Sequence, residues 1–217
     1  MSAPWTIVGQ GLAGTCLAWE LWKRGAIFTL VDREAGGSSR VAAGLINPIT
    51  GKNFGPSARI GEFHPQAMAF YAEVEKAIGT TLWHPLPVLR LAATEKEWKK
   101  IAAKLDRPEV RPWLADDGAP VTEGGWVGAV ELKGGGRLDT RTFLDGSRGF
   151  FQQRGIYQKS EVSGGGTGRI WCEGAAGLIR GGYGPHRCAK GEILTIKATG
   201  WDETRIRIGA GGWLVPL

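Results

Sequence analysis

Cysteine and histidine are both scarce in this chain of 217 residues, which contains three of each. Cys16, Cys172 and Cys188 lie far apart and form no CxxC pair, so the sequence predicts neither a zinc site nor a redox dithiol, and three sulfur atoms cannot build a closed disulfide framework. The histidines show no ligand spacing, so no metal site is expected. Three ordinary thiols are typical of a cytoplasmic protein, which is the compartment we expect.

The sequence also lacks a long apolar run and a dense block of basic residues. No stretch approaches the ~18 uninterrupted apolar residues of a membrane-spanning helix. Residues 5–22 are apolar, but Glu20 and Lys23 fall where a signal peptide would have its cleavage region. The net charge of +6 is mild and dispersed, which suits attraction to anionic small molecules. We therefore expect neither a membrane nor a nucleic acid as a partner.

The first thirty residues have the pattern of a strand, a helix and a second strand. Trp5–Val8 is a short apolar run that stops at Gly9, residues 14–24 carry a helical apolar stripe that Gly25 ends, and residues 27–31 form a second apolar run. Two consecutive strands joined by a crossover helix lie parallel. This pattern predicts an α/β fold built on a Rossmann-like parallel sheet.

The remainder of the chain predicts further helices followed by a β-rich region. Asp139 is a good cap for a helix that runs to about Gln153. Short strands are predicted at Arg169–Cys172, Glu192–Lys197, Thr204–Ile208 and Trp213–Val215. We therefore expect a partial β-rich (α+β) domain beside the parallel sheet.

The most specific motif is Gly9-Gln10-Gly11-Leu12-Ala13-Gly14, which follows the first strand and opens the first helix. Gly9 permits a tight turn, Gly11 lets the backbone approach a pyrophosphate, and Gly14 lets the helix pack closely on the strand. The helix N-terminus offers unpaired N–H groups and partial positive charge to the phosphates. Asp32, at the end of the second strand, stands where an acidic side chain binds a ribose hydroxyl. The motif predicts dinucleotide binding.

The segment after Asp32 does not follow the pattern of a nicotinamide-binding domain. A nicotinamide-binding Rossmann domain would normally continue into a crossover helix, whereas residues 36–48 are a loop of small residues around Arg40. Small side chains allow close approach to a flat ring, and Arg40 can reach an anionic oxygen. At residues 5–48 the sequence resembles the D-amino-acid-oxidase-like family of FAD-dependent oxidoreductases, which place a Ser/Arg element and an Ala-Ala-Gly element after the βαβ unit, alongside FAD.

The resemblance continues more loosely through three later elements. Residues 169–174 are similar to the family's strand-to-glycine element near the cofactor, residues 190–194 to a glycine-then-strand element, and residues 212–216 to a substrate-domain strand. Cys172 and Glu173 replace a small Ala/Thr pair of the family. Family members are longer, and the resemblance implies that this chain lacks their C-terminal third.

The motif and the resemblance together imply a set of residues that bind FAD. These are Gly9, Gly11, Leu12, Ala13, Gly14, Asp32, Arg33, Ser39, Arg40, Ala42, Ala43, Gly44, Leu45 and Gly174. They imply no catalytic side chain, because hydride transfer to a flavin is chemistry of the cofactor. The expected domains are a discontinuous, incomplete FAD-binding domain at 1–80 and 139–187 and a partial substrate domain at 81–138 and 188–217.

The resemblance implies oxidation of a small-molecule amine or amino-acid-like substrate by hydride transfer to flavin. Two alternatives remain open at the level of sequence: a truncated, non-catalytic dinucleotide-binding domain, and an NAD(P)-dependent dehydrogenase. Because the family's last third would close the site over the flavin, we expect this chain by itself to retain FAD weakly and to turn over little substrate. Its terminal apolar run, residues 213–217, further predicts self-association through an exposed strand edge.

Overall fold

The computed structural model describes residues 5–51, 53–161, 168–181, 184–189, 191–201, 204–209 and 211–217. The chain divides into two compact units. The first unit comprises Met1–Ala42, Glu73–Leu82 and Asp139–Thr195, and the second comprises Ala43–Ala72, Trp83–Leu138 and Ile196–Leu217. These limits differ from the sequence-based boundaries mainly at residues 43–72, which cluster with the second unit. The assignment of one domain to the cofactor and the other to the substrate stays a prediction.

The first unit is built on a parallel sheet of four strands. The strands are β1 (Trp5–Val8), β2 (Phe28–Asp32), β10 (Tyr157–Lys159) and β11 (Gly168–Trp171). Their order is β10-β2-β1-β11, and all three pairings are parallel. The helices are α1 (Leu12–Lys23), α2 (Ser38–Val41), α5 (Thr140–Gln152) and α6 (Gly174–Gly181). Since β2 and β11 flank β1 on opposite sides, the carboxyl end of β1 lies at a switch point of the topology, where α/β sheets bind ligands.

Apolar side chains of β1, α1 and α5 form the core of the first unit. Ile7 and Leu30 are completely buried, as expected for strands of a covered parallel sheet. Trp19 of α1 is buried against Phe151 of α5, and its Nε1 donates a hydrogen bond to Ser147 Oγ at 2.8 Å. Because α1 and α5 are fixed to each other in this way, the loops at their N-termini have defined positions.

The second unit contains the remaining strands in three antiparallel or mixed sheets. The strands are β3 (Leu45–Ile46), β4 (Ile49–Thr50), β5 (Gly55–Pro56), β6 (Trp83–Pro85), β7 (Val88–Ala92), β8 (Gly128–Leu132), β9 (Gly136–Leu138), β12 (Ile206–Gly209) and β13 (Gly212–Leu214). The largest sheet has the order β13-β12-β7-β8, a second has the order β3-β9-β6, and β4 pairs with β5. Helix α4 (Glu95–Ala102) packs against β7 and β8. The hydrophobic core of the second unit includes Val88, Ile101, Val130, Leu132 and Ile206. Helix α3 (Ile60–Ile78) contributes residues to both units.

The structure confirms the predicted fold class and several of the predicted elements. The parallel βαβ unit is present, and Asp139 caps α5 through a hydrogen bond from Thr142 N to Asp139 Oδ1 at 3.0 Å. The strand predicted at Glu192–Lys197 is wrong, because residues 191–198 are exposed and have no regular structure. An apolar run forms a strand only where another strand pairs with it, and sequence pattern alone does not reveal the partner. Among the described residues, no helix is long and apolar enough to cross a membrane.

Candidate functional site

The turn after β1 has a geometry that only glycine satisfies at its first position. Gly9 has a φ of +104°, and its N–H donates to the carbonyl oxygen of Val31 at 2.8 Å. A Cβ at residue 9 would lie 2.5 Å from the carbonyl oxygen of Cys172. The backbone that follows β11 therefore leaves no space for a side chain here, and glycine also relieves the backbone strain of a positive φ.

Helix α1 begins immediately after this turn with an open N-terminus. Its N-cap residue, Gly11, provides no side-chain cap, and a Cβ at residue 11 would meet only Ser39 Oγ, at 3.3 Å. Leu12 N donates to Ser39 Oγ at 3.0 Å. The N–H groups of the first helical turn, including those of Ala13 and Gly14, have no partner within the helix. The turn is thus a cradle for an anion whose available donors include the N–H groups of Ala13 and Gly14, because Leu12 N already bonds to Ser39.

Gly14 has a different role, which is close packing. A Cβ at residue 14 would lie well under 3.0 Å from the carbonyl oxygen of Gly9. Gly14 is buried and lies in the first turn of α1. Its lack of a side chain therefore allows the helix to begin directly over the turn, as the sequence motif predicts.

The carboxylate of Asp32 is held by backbone N–H groups from both sides. Gln10 N donates to Asp32 Oδ2 at 2.7 Å, and Glu34 N donates to Asp32 Oδ1 at 2.6 Å. Asp32 is half-buried at the end of β2. Each carboxylate oxygen has a further lone pair, so Asp32 retains the capacity to accept hydrogen bonds from ribose hydroxyls. Arg33, which follows it, is exposed.

The Ser/Arg element forms the short helix α2. Arg40 Nη2 donates to Asp145 Oδ1 at 2.6 Å, whereas Arg40 Nη1 is buried and has no hydrogen-bond partner among the described residues. The carbonyl oxygen of Ala42 accepts a hydrogen bond from Thr140 Oγ1 at 3.1 Å, which ties α2 to α5. A buried guanidinium nitrogen without a partner is a donor suited to a phosphate or carboxylate oxygen.

The Ala-Ala-Gly element spans the boundary of the two units, with Ala42 in the first and Ala43 and Gly44 in the second. Gly44 has a φ of +68°, and its carbonyl oxygen accepts a hydrogen bond from Leu138 N at 3.0 Å. Leu45 in β3 lies opposite Arg137 in β9. Gly44 and Leu45 are thus fixed by their contacts with β9, and Ala43 precedes them in the second unit.

The strand-to-glycine element follows β11, the strand next to β1. Cys172 N donates to the carbonyl oxygen of Val8 at 2.7 Å, which extends the pairing of the two strands, and Gly174, with a φ of +57°, opens α6. Glu173 forms an ion pair with Arg180. In the first unit, Gly9, Gly11, Leu12, Ala13, Gly14, Asp32 and Gly174 therefore lie at the carboxyl ends of β1, β2 and β11.

The reactivity of the Cys172 thiol can be used to test how well this edge of the sheet is shielded from solvent. Burial raises the pKa of the Cys172 thiol, whereas Cys188 is exposed. A thiol with a raised pKa has less reactive thiolate at a given pH. We expect iodoacetamide to modify Cys188 before Cys172 at pH 8, and the Cys172 rate to rise only at higher pH, as followed by peptide mass spectrometry. Equal rates for the two thiols at pH 8 would contradict the assignment of Cys172 as a shielded group.

Sequence reasoning missed a group of polar side chains behind Asp32. Gln10, Glu34, Arg148, Tyr157 and Lys159 form a connected network in the first unit. The only sequence feature that indicated this network was Gln10, because it is a large polar residue between the two closely packed glycines of the motif. Nothing in the sequence linked residue 10 to residue 148, so the network is visible only in the structure.

The residues present in the first unit fit a dinucleotide. The cradle of N–H groups at α1 fits a pyrophosphate, the unpartnered Arg40 Nη1 fits an anionic oxygen, and Asp32 fits a ribose hydroxyl. Within the described parts of the chain, no three His, Cys, Asp or Glu side chains cluster as ligands of a metal ion. The fold is that of an α/β protein whose first unit has a Rossmann-like parallel sheet.

Comparison with known proteins assigns the family. The family model described as FAD dependent oxidoreductase (DAO) matches residues 5–206. The chain therefore belongs to the FAD-dependent oxidoreductase family, and the resemblance found in its sequence is confirmed.

Several solved structures share the fold of this chain at low sequence identity. Glycine oxidase from Geobacillus kaustophilus is 17% identical with a TM-score of 0.66, and the match covers 99% of this chain and 68% of that one. L-amino acid deaminase from Proteus vulgaris is 14% identical with a TM-score of 0.60 and coverages of 82% and 49%. L-amino acid deaminase from Proteus myxofaciens, solved with anthranilate, is 17% identical with a TM-score of 0.54 and coverages of 72% and 37%. The chain thus spans between 37% and 68% of the lengths of these three proteins.

Proposed function

We propose that this chain binds FAD through its first unit and that it serves the oxidation of an amine or amino-acid-like small molecule. The observation that carries the proposal is the cradle at Gly9–Gly14 with Asp32 beside it, in a chain whose family is FAD-dependent. Similar structures include a glycine oxidase and L-amino acid deaminases, which supports an amino-acid-like substrate. When bound, the flavin of FAD accepts a hydride from the substrate.

The chain's own residues would bind and orient the cofactor. The first-turn N–H groups of α1 would donate to the pyrophosphate, with Ser39 as a neighbour, since its hydroxyl accepts from Leu12 N and keeps its own proton to donate. Arg40 Nη1 would add a charge-assisted hydrogen bond to an anionic oxygen. Asp32 would accept hydrogen bonds from the ribose. Ala43, Gly44, Leu45 and Gly174 remain proposed contacts that rest on the family resemblance.

The first test of the proposal is the titration of the purified protein with FAD. Asp32→Ala removes the acceptor of the ribose hydroxyls, and a hydrogen bond to a charged group contributes about 1.5–3 kcal/mol. We therefore expect the Kd for FAD to rise roughly tenfold or more. Flavin fluorescence quenching measures this Kd, and circular dichroism checks that the variant is folded.

Two controls separate the proposal from its alternatives. Asp106→Ala removes an exposed carboxylate of the second unit and should leave the Kd for FAD unchanged. A colourless protein that binds NADH instead of FAD would favour an NAD(P)-dependent dehydrogenase. Binding of FAD by wild type and Asp32→Ala with the same Kd would refute the role given to Asp32.

A further inference from the structure

Four residues of the first unit, Gln10, Asp32, Glu34 and Arg148, form a closed ring of polar contacts. Gln10 N and Glu34 N donate to the two oxygens of the Asp32 carboxylate, at 2.7 Å and 2.6 Å. The side chains of these same two residues meet at Arg148 of α5: Arg148 Nε donates to Gln10 Oε1 at 3.1 Å, and Arg148 Nη1 lies 3.6 Å from Glu34 Oε1. The ring therefore joins the glycine turn, the end of β2 and helix α5 through one guanidinium.

The Gln10 side of the ring is rigid. Gln10 is 4% exposed, and its Nε2 donates to the carbonyl oxygen of Leu144 at 2.7 Å. With Arg148 on its Oε1, both ends of the amide are thereby bonded to α5. Because a buried polar group left unpaired is costly, this amide has little freedom to reorient. The backbone N–H of Gln10, which donates to Asp32, is fixed with it.

The Glu34 side is equally constrained, although its backbone is strained. Glu34 has a φ of +58°, which is unfavourable for a residue with a side chain. Its carboxylate accepts from Tyr157 OH at 2.8 Å and pairs with Lys159 Nζ at 2.9 Å, in addition to Arg148. The pKa of Glu34 is lowered by Lys159 most strongly, and also by Tyr157 and Arg148. Burial raises the pKa of Tyr157, so its hydroxyl stays protonated and can donate to Glu34.

Arg148 is the member that connects the two sides. Its side chain is 20% exposed and lies against the Tyr157 ring, 5.5 Å from the ring centre. The planar guanidinium presents several donors in fixed directions, so one side chain can hold Gln10 and Glu34 at the same time. No lysine can present that pair of donors, because its ammonium group is a single point at the end of a flexible stem.

We propose that Arg148 is a positioning residue for the adenosine ribose of the cofactor. Through Gln10 and Glu34 it fixes the two backbone N–H groups that orient the Asp32 carboxylate, so that the remaining lone pairs of that carboxylate face the ribose hydroxyls. The proposal rests on the proposed function, because it assumes that Asp32 binds the ribose. It adds a residue from α5 that would act through its contacts with Gln10 and Glu34.

The test measures discrimination between ribose and deoxyribose. Calorimetry gives the Kd values of wild type and Arg148→Met for ADP, 2′-deoxy-ADP and 3′-deoxy-ADP, with FAD titrated in parallel. For wild type we expect ADP to bind roughly tenfold more tightly than the weaker deoxy analogue, the value of one hydrogen bond to a carboxylate. For Arg148→Met we expect that ratio to fall to about two or three, with most of the loss in ADP binding.

Two further variants isolate the geometry of the ring from loss of charge and from misfolding. Arg154→Met removes an arginine that stacks on Phe150 outside the ring, and it should keep the wild-type ratio. Arg148→Lys keeps the charge but loses the Nε donor to Gln10, so an intermediate ratio is expected. This second variant serves as the test if Arg148→Met does not fold.

The outcomes distinguish this proposal from the one on which it rests. If wild type binds neither FAD nor ADP, the proposed function fails, and the role of Arg148 fails with it. If wild type discriminates between ADP and the deoxy analogues and both Arg148 variants keep the full ratio, Arg148 is only a structural brace of α5, and the positioning role alone is refuted. A lowered melting temperature with an unchanged ratio counts as that second result.

Discussion

Gly14→Ala is expected to abolish measurable FAD binding and to destabilise the first unit. The added Cβ would lie well under 3.0 Å from the carbonyl oxygen of Gly9, and close to the side chain of Cys172. Backbone cannot move aside as a flexible side chain can, so the start of α1 has to shift away from the turn. Overpacking of this kind costs about 3 kcal/mol at the upper end of its usual range. The shift also displaces the N–H cradle on which the pyrophosphate would rest.

A matched glycine in the same unit provides the control. Gly149 lies within α5, and a Cβ there would have no heavy atom within 4 Å. Replacing a helical glycine with alanine at such a position raises the free energy of unfolding by roughly 0.5–1 kcal/mol. Thermal unfolding should therefore move in opposite directions for the two variants, while fluorescence titration should show FAD binding only for Gly149→Ala. Normal FAD binding by Gly14→Ala would show that the close approach to Gly9 is not needed for the site.

The parts of the fold that sequence predicted well are those in which structure is decided locally. Residues 5–32 have a strand, a glycine turn, a helix and a second strand in immediate succession, and a short crossover of this kind leaves only a parallel pairing. The structure shows why glycine is needed at both positions: Gly9 has a positive φ and no space for a side chain, and Gly14 allows the close approach of the helix to the turn. Local chemistry also predicted the Asp139 cap of α5.

The features that sequence did not predict depend on residues far apart in the chain. Gln10 and Arg148 are separated by 138 positions, and no local pattern indicates that their side chains meet. The prediction of a strand at Glu192–Lys197 was wrong because it rested on an apolar run alone. In the described part of the chain, no neighbouring strand pairs with that run. Pairing partners and polar networks are properties of the assembled unit, whereas periodicity and turn residues are properties of the segment.

The location of the Ala-Ala-Gly element shows the same distinction in one segment. The small side chains of residues 42–44 predicted a close approach to a flat ring, and the family resemblance implied that this ring belongs to FAD. The structure shows one close approach directly: Gly44 lies against the backbone of Leu138, in the second unit. A small residue can therefore be required by a neighbouring strand, independently of any role toward a cofactor, and substitution at Gly44 tests that requirement.

Gly44→Ala is expected to destabilise the second unit by about 2–5 kcal/mol, through two additive causes. A residue with a Cβ costs roughly 1–2 kcal/mol in the left-handed region, where Gly44 lies with its φ of +68°. The Cβ would also lie well under 3.0 Å from the carbonyl oxygen of Leu138, whose N–H donates to the Gly44 carbonyl at 3.0 Å. Overpacking against that backbone adds about 1–3 kcal/mol.

Gly25→Ala separates these two causes, because Gly25 has nearly the same φ, +66°, yet a Cβ there would meet nothing within 4 Å. We expect it to lose only the backbone contribution, about 1–2 kcal/mol. Urea unfolding gives both free energies, and amide exchange of Leu138 reports whether its hydrogen bond to Gly44 is lost in Gly44→Ala. If the two variants lose the same stability and Leu138 stays protected, the strand of Leu138 tolerates a side chain at residue 44. The glycine at residue 44 would then be required by its positive φ alone, and not by close packing against Leu138.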